Sequence, residues 1–362
     1  MFWTKIVHRI FIFLLIITLF SGYTVAFASY YAPEIGCLEP VTEVEVRAAL
    51  LGNNATTVTS TPQRWDESTM LTERSLTRRQ EGLEIRGTVP HLTSEFGTSY
   101  ERINAYIANY AVSSLIENAR SGMTRARSVS FSHETHSSGN VVSLVIFAEI
   151  DSSVPRTIVR TVNFSSTNGR VLCLREAINM DITPIIERKT AEMIRSNPEH
   201  YYAAQSVCLE DLSFYVTDSR VVVLFNGLSL STRDANVSSI SFVRRNLHSF
   251  SISRNEYRVR DYGYSIKRIP LRAVSEGLGF TIAWDPETST AAVLQNRQTV
   301  AELTLGYNNF TSSGGVIISL EEGPLIVGNR LYVPITFFDQ VLPLTVYSVS
   351  STGRITFVTY QE

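Results

Sequence analysis

Ile269-Pro270-Leu271-Arg272-Ala273-Val274-Ser275-Glu276-Gly277-Leu278-Gly279 decides the architecture of the C-terminal third, because its apolar positions return later in the chain. Pro270, Leu271, Val274, Leu278, Ile282 and Val293 recur 64 positions on as Pro334, Ile335, Phe338, Leu342, Val346 and Phe357. Each copy reads as a helix opened by proline, with apolar residues at i, i+3 and i+7, followed by two strands and a turn. Two copies are too few for an open array, so the spacing predicts a compact pseudo-duplicated domain over 262–362.

Upstream of the repeat the pattern changes. Val142, Leu144, Ile146, Ala148 and Ile150 alternate, and Val162 and Phe164 continue the alternation in a second run that ends at an Asn168-Gly169 turn. These runs predict neighbouring antiparallel strands. A helix is expected to start near Thr98, with its hydroxyl as cap and Glu101 three positions on, and to present Ile103, Ile107, Ala111 and Leu115 at i+4 spacing to the sheet. A second helix is expected over Thr183–Arg195, opened by Pro184 and stopped by Asn197-Pro198. Leu212–Thr217 and Arg220–Phe225 flank Asp218-Ser219 as a hairpin. The fold class is therefore α+β: an antiparallel sheet with packed helices over 68–245, a linker over 246–261, and the smaller pseudo-duplicated α+β domain. Residues 29–67 read as a linker. The wider stretch 40–80, rich in Thr, Ser, Asn and charge, shows no sustained apolar period and reads as a spacer.

The N-terminus carries an export signal. Lys5, His8 and Arg9 precede the apolar run Ile10–Phe20, and Ala26-Phe27-Ala28 offers small residues for cleavage, so 1–28 is expected as a signal peptide and Ser29 as the new N-terminus. The alternative is an uncleaved leader acting as a membrane anchor. A formal charge of -2 over 362 residues gives no global field for nucleic acid. Three cysteines are too few for a disulfide-built scaffold; Cys173 and Cys208 are expected as buried free thiols, with pairing between them the other option.

Two resemblances join this reading. Pro90, Ile103-Asn104, Asn163-Phe164, Asn168-Gly169-Arg170-Val171 and Phe214-Tyr215-Val216-Thr217-Asp218 leading into Phe225 resemble the extracellular domain of unknown function that accompanies peptidoglycan deacetylase domains and forms the ectodomain of a lysozyme-sensing anti-sigma factor (the DUF3298/DUF4163 group). The chain departs from that pattern after Phe225, where Asn226-Gly227-Leu228-Ser229-Leu230 replaces a Tyr- and Pro-bearing segment. The strings 269–279, Trp284-Asp285, Glu287-Thr288 and Gly328-Asn329-Arg330-Leu331-Tyr332-Val333-Pro334 are similar to the N-terminal stalk domain of copper amine oxidases. That resemblance implies neither copper binding nor oxidation. In the second copy Tyr347-Ser348 stands near the place of the Trp-Asp pair.

The chemistry-bearing motifs are sparse. His133 and His136 are three apart in a strand-like run, which sends them to opposite faces, whereas a zinc helix needs a spacing of four. No Gly-x-Ser-x-Gly elbow or phosphate-binding glycine loop occurs. No catalytic residue, cofactor or metal is expected. The basic stretch Arg244–Arg268, interleaved with tyrosines, supplies the candidate ligand residues Arg254, Tyr257, Arg258, Arg260 and Tyr262, with a solvated linker as the plain alternative. The expectation is a secreted or wall-associated, non-catalytic envelope protein. Its partner would be a cell-wall polymer or an extracellular protein of the lysozyme type, with membrane contact only through an uncleaved leader. Alternatives are an anchored sensor ectodomain and a peptidoglycan-modifying enzyme.

Overall fold

The structure, a computed structural model, describes residues 65–97, 99–121, 126–199, 212–226, 237–259 and 267–362. The expected leader, the Thr98 cap, Cys37, Cys208, Arg260 and Tyr262 lie outside them. A one-turn helix, α1 (Glu67–Met70), opens the described chain. It leads into β1 (Leu71–Gln80) and β2 (Leu83–Leu92), which form an antiparallel hairpin. Thus part of the expected spacer is strand. Its pattern was hidden because β1 is an edge strand, exposed along nearly all its length, whose Glu73, Arg74, Arg78 and Arg79 discourage further pairing.

A helical segment follows, α2 (Tyr100–Tyr106), a π turn (Ile107–Val112) and α3 (Ser113–Ser121). Ile103, Ile107, Ala111 and Leu115 are all buried. A stripe at strict i+4 drifts by about 40° per step around an ideal α-helix; the wider π turn takes up that drift and keeps the stripe on the sheet. The segment crosses from β2 to β3 (Ser128–Ser138), which pair in parallel, so the otherwise antiparallel sheet has one parallel junction. Asn104 fixes the crossing: its side chain accepts from Leu92 N (2.8 Å) and donates to Leu92 O (2.8 Å) at the end of β2. β4 (Val141–Asp151) and β5 (Arg156–Ser165) complete the order β1-β2-β3-β4-β5, with Leu144 opposite Val162 and Val142 opposite Phe164 as the alternation requires.

Helices α4 (Leu174–Ile178) and α5 (Thr183–Ser196) come next, the second with its proline in the first turn. Cys173, just before α4, is disulfide-bonded, which corrects the free-thiol expectation for that residue. The hairpin β6 (Ser213–Val216) and β7 (Arg220–Phe225) pairs on with β8 (Ser238–Val243) as a three-stranded sheet. This sheet covers the face of β4 and β5 opposite α2 and α3, through Val145, Val159, Val222 and Leu224. Buried polar side chains satisfy the free edge of β6. Phe214 N donates to Thr161 Oγ1 (3.0 Å), Asn163 Nδ2 to Phe214 O (3.0 Å), and Val216 N to Ser143 Oγ (3.2 Å).

Residues 246–261, expected as a linker, contain β9 (Leu247–Ile252) and β10 (Arg258–Val259). The repeat follows with β11 (Lys267–Pro270), α6 (Leu271–Gly277), β12 (Thr281–Asp285), β13 (Thr290–Gln295), β14 (Gln298–Thr304), β15 (Asn309–Ser312) and β16 (Ile317–Ser319). The second half is β17 (Leu325–Val327), β18 (Arg330–Pro334), α7 (Thr336–Gln340), β19 (Thr345–Val349) and β20 (Ile355–Tyr360). Every repeated apolar position is buried in both copies. The duplication is visible in the pairing of β11 with β18. Ile269 faces Val333, its own repeat mate, and the pairs Arg268↔Pro334 and Pro270↔Tyr332 exchange under the same shift. This ladder therefore lies on a local pseudo-two-fold.

The two halves differ in what extends their hairpins. β14, β15 and β16 continue the first, whereas β9 joins β20 as third strand of the second. β9 is thus built into the repeat domain. A further core cluster unites the modules, in which Ile182, Ile185, Ile186, Phe214 and Phe242 pack with Leu344, Val346, Val358 and Tyr360. Lys189 of α5 adds an ion pair with Glu362 and lies over the Tyr360 ring.

Candidate functional site

The basic stretch does not form one surface. Arg244 donates to Ser138 Oγ (2.6 Å) and Thr217 O (3.2 Å), tying β8 to the sheet below. Arg268 is largely buried, ion-paired with Glu322, and donates to Gly323 O (2.9 Å). Burial also lowers the pKa of Lys267 from the ordinary lysine range. Tyr257 belongs to the hydrophobic core of the repeat domain and its hydroxyl donates to Gly353 O (2.8 Å), so it has no face for a sugar. Alternating tyrosines in a basic run gave no sign of which one folds inward. Arg254 is exposed in a single 3-10 turn (Arg254–Glu256). Arg258 is a residue of β10, paired with Arg268 across the ladder.

Of the histidine pair, His136 is used within the fold. His136 stacks on Tyr215 of β6 (4.2 Å between rings, 14° between planes), with its Nε2 3.4 Å from Glu134 Oε2. Burial first, and Glu134 second, raise the Tyr215 hydroxyl above the ordinary tyrosine range, with Arg220 opposing. Among the described residues no three His, Cys, Asp or Glu side chains lie together as a metal set, and no helix is long and apolar enough to cross a membrane. One shallow cavity of about 550 Å³ lies where β1 meets α3, lined by Arg78, Gln80, Ser113, Glu117 and Arg120 among others; Arg120 Nε is 4.0 Å from Glu81 Oε2. Its charges are mixed and solvated, which gives a ligand little to prefer.

The surface that departs from an ordinary solvated one lies to either side of the boundary between the two halves of the repeat domain. Val316 (59% exposed) and Ile317 (68%) come from β16 and the turn before it, Leu325 (43%) and Ile326 (43%) from β17, an edge strand of the β10-β11-β18-β17 sheet, and Tyr307 (63%) from the turn between β14 and β15. These elements are tied locally. Asn308 Nδ2 donates to Leu320 O (3.1 Å), Leu320 N to Asn308 O (3.0 Å), and Gly323 sits so close to Tyr307 that a Cβ would lie 2.3 Å from its carbonyl oxygen. Trp284 of β12, 37% exposed, lies apart from this surface, at the opposite edge of the β12–β16 sheet and in line with Ala291, Leu303, Phe310 and Ile318 on the face away from Ile317; it leads into a tight turn in which Asp285 accepts from Glu287 N (3.0 Å) and Thr288 Oγ1 (2.7 Å). Those bonds hold the Asp285 carboxyl below the usual carboxylate range. Grouped exposed apolar residues of this kind mark contact surfaces more often than isolated ones do. The sequence held the signal as Gly314-Gly315-Val316-Ile317-Ile318, an uncharged run, but periodicity alone did not show that it ends a sheet.

With this geometry in place, residues 268–357 match the family model described as copper amine oxidase N-terminal domain. The match spans both halves of the repeat. Two solved structures are similar over part of the chain. One is a DUF3298 family protein from Pseudomonas aeruginosa PAO1, 8% identical, covering 48% of this chain and 90% of its own at a TM-score of 0.32. The other is a DUF3298 family member from Bacteroides fragilis NCTC 9343, 10% identical, covering 49% and 92% at a TM-score of 0.31. No curated protein matches the chain.

Proposed function

We propose that this is an exported, non-catalytic binding protein of a bacterial cell envelope, secreted or wall-associated, whose ligand is a peptidoglycan component or an extracellular protein. The observation that carries the reading is the exposed apolar edge of the repeat domain, where Val316 and Ile317 are more than half exposed, no side chain between Gly314 and Leu320 is charged, and the exposed ring of Tyr307 stands in the turn that meets Gly323. Exposed aromatic rings stack on sugar faces and pack against apolar protein surface alike. Two further features support export. Residues 1–28 have a leader's composition, and the disulfide at Cys173 suits an oxidising compartment.

Incubation of the purified protein with peptidoglycan fragments tests the non-catalytic part. The expected result is association without release of acetate or sugar; release of either would overturn it. The Tyr307→Ala variant is expected to weaken association while leaving the melting temperature in place, because its side chain is 63% exposed.

A further inference from the structure

Two of the sheet edges among the described residues are treated differently. β1 is an edge strand guarded by Glu73, Arg74, Arg78 and Arg79, as natural edges generally are. β16 is the edge of the sheet β12-β13-β14-β15-β16, and from Gly314 to Leu320 it carries no charge and no proline. Its hydrogen-bonding side can be assigned. Ser312 N bonds to Val316 O (2.8 Å) and Leu320 N to Asn308 O (3.0 Å), with Phe310 opposite Ile318 between them. Ladder bonds fall on every second residue of an antiparallel pair, so Val316, Ile318 and Leu320 bond inward. The N–H and C=O groups of Ile317 and Ser319 therefore point along the open edge.

We infer that the β16 edge is a self-association surface, on which β16 of a second copy of this chain adds as an antiparallel strand across a two-fold axis. The edge specifies an extended backbone as its occupant, because it offers donors and acceptors in strand register. It also fits its own copy. With the axis at Ile318, Ile317 of each chain faces Ser319 of the other, and these two pairs exchange the outward-facing bonds. In that register Glu321, the first charged residue after the strand, falls opposite the partner's Gly315, so no like charges meet. Val316 and Ile317, both more than half exposed in the single chain, are covered by the added strand. A strand this short buries less than a standard interface, so the association is weak and concentration-dependent. It does not depend on the proposed wall ligand.

Sedimentation velocity of the full chain from about 10 µM to about 1 mM tests the proposal, in the range where small interfaces associate. Ile317→Pro removes the outward donor without touching the β15–β16 bonds, and Ile317→Lys places a charge on an exposed position; Arg74→Ala on the guarded edge is the control. The expected result is a reversible monomer–dimer equilibrium. Both Ile317 variants should weaken it by about tenfold or more at unchanged melting temperature, with Arg74→Ala behaving as wild type. Should Ile317→Pro fail to fold, Ile317→Lys alone decides. A wild-type chain that stays monomeric throughout, Ile317→Lys associating as strongly as wild type, or Arg74→Ala weakening association equally would overturn the assignment. The assay contains no wall material, so its failure leaves the wall-binding proposal standing.

Discussion

Asp339 of α7 offers the sharpest quantitative test of the junction between the modules. Its Oδ1 is buried without a hydrogen-bond partner, near Arg188 of α5 and Tyr347 of β19. Burial raises its pKa from 3.8 to about 6, with Arg188 pulling in the opposite direction. The native state therefore holds a proton that the unfolded chain has released between those pH values, and stability falls as pH rises through that window. A shift of about two units corresponds to about 3 kcal/mol, nearer 2 after allowance for partial solvent screening. Asp339→Asn keeps the shape and removes the charge. Paired urea denaturation curves at half-unit steps from pH 4 to 8 should show the variant level with wild type at pH 4 and about 2–3 kcal/mol more stable above pH 7. That gain is a rise in melting temperature on the order of 5 °C. A variant no more stable than wild type at pH 7.5, or a difference that does not change with pH, would refute the reasoning.

Other expectations follow from close contacts. A Cβ on Gly277 would lie 2.1 Å from Phe250 Cδ2, so Gly277→Ala should cost about 1–3 kcal/mol, and less in a Phe250→Leu background, by chemical denaturation. Gly87 has φ +117 and a Cβ there would lie 2.1 Å from Phe131 O in the parallel junction; Gly87→Ala should cost about 3 kcal/mol or more, and a loss under 1 would contradict the described β2–β3 pairing. Asn104→Ala leaves both Leu92 backbone groups without their partner and should cost about 1–3 kcal/mol. Tyr257→Phe should cost about 1 kcal/mol and leave wall association unchanged, since the ring is core and only its bond to Gly353 is lost; weakened association would return Tyr257 to the ligand surface.

Long regular patterns were legible in the chain. The repeat could be read at 64-residue spacing because the same apolar positions fill the core in both halves, and Leu144 to Val162 could be paired because both runs alternate in successive stretches of the chain. Elements without a buried stripe were not. β1 is exposed on both faces and its charges match those of a spacer, while β9 is half-exposed and its pattern matches that of a linker. Ser143, Thr161 and Asn163 are polar yet buried, because the β6 backbone lying across them needs side-chain partners, and no local pattern announces that. The candidate site fared worse for a related reason. Arg268 and Tyr257 have the composition of a ligand surface, but their partners, Glu322 and Gly353, stand far along the chain.

The most direct test of the central claim is sedimentation of the purified chain beginning at Ser29 with insoluble peptidoglycan, with and without its attached anionic polymers, across a range of salt. The account predicts co-sedimentation that persists at high salt and without the anionic polymers, since the exposed surface of the repeat domain is aromatic and apolar. A protein that stays in the supernatant under every condition would contradict a wall ligand, and one that binds only at low salt and only with the anionic polymers would move the site back to exposed arginines such as Arg254.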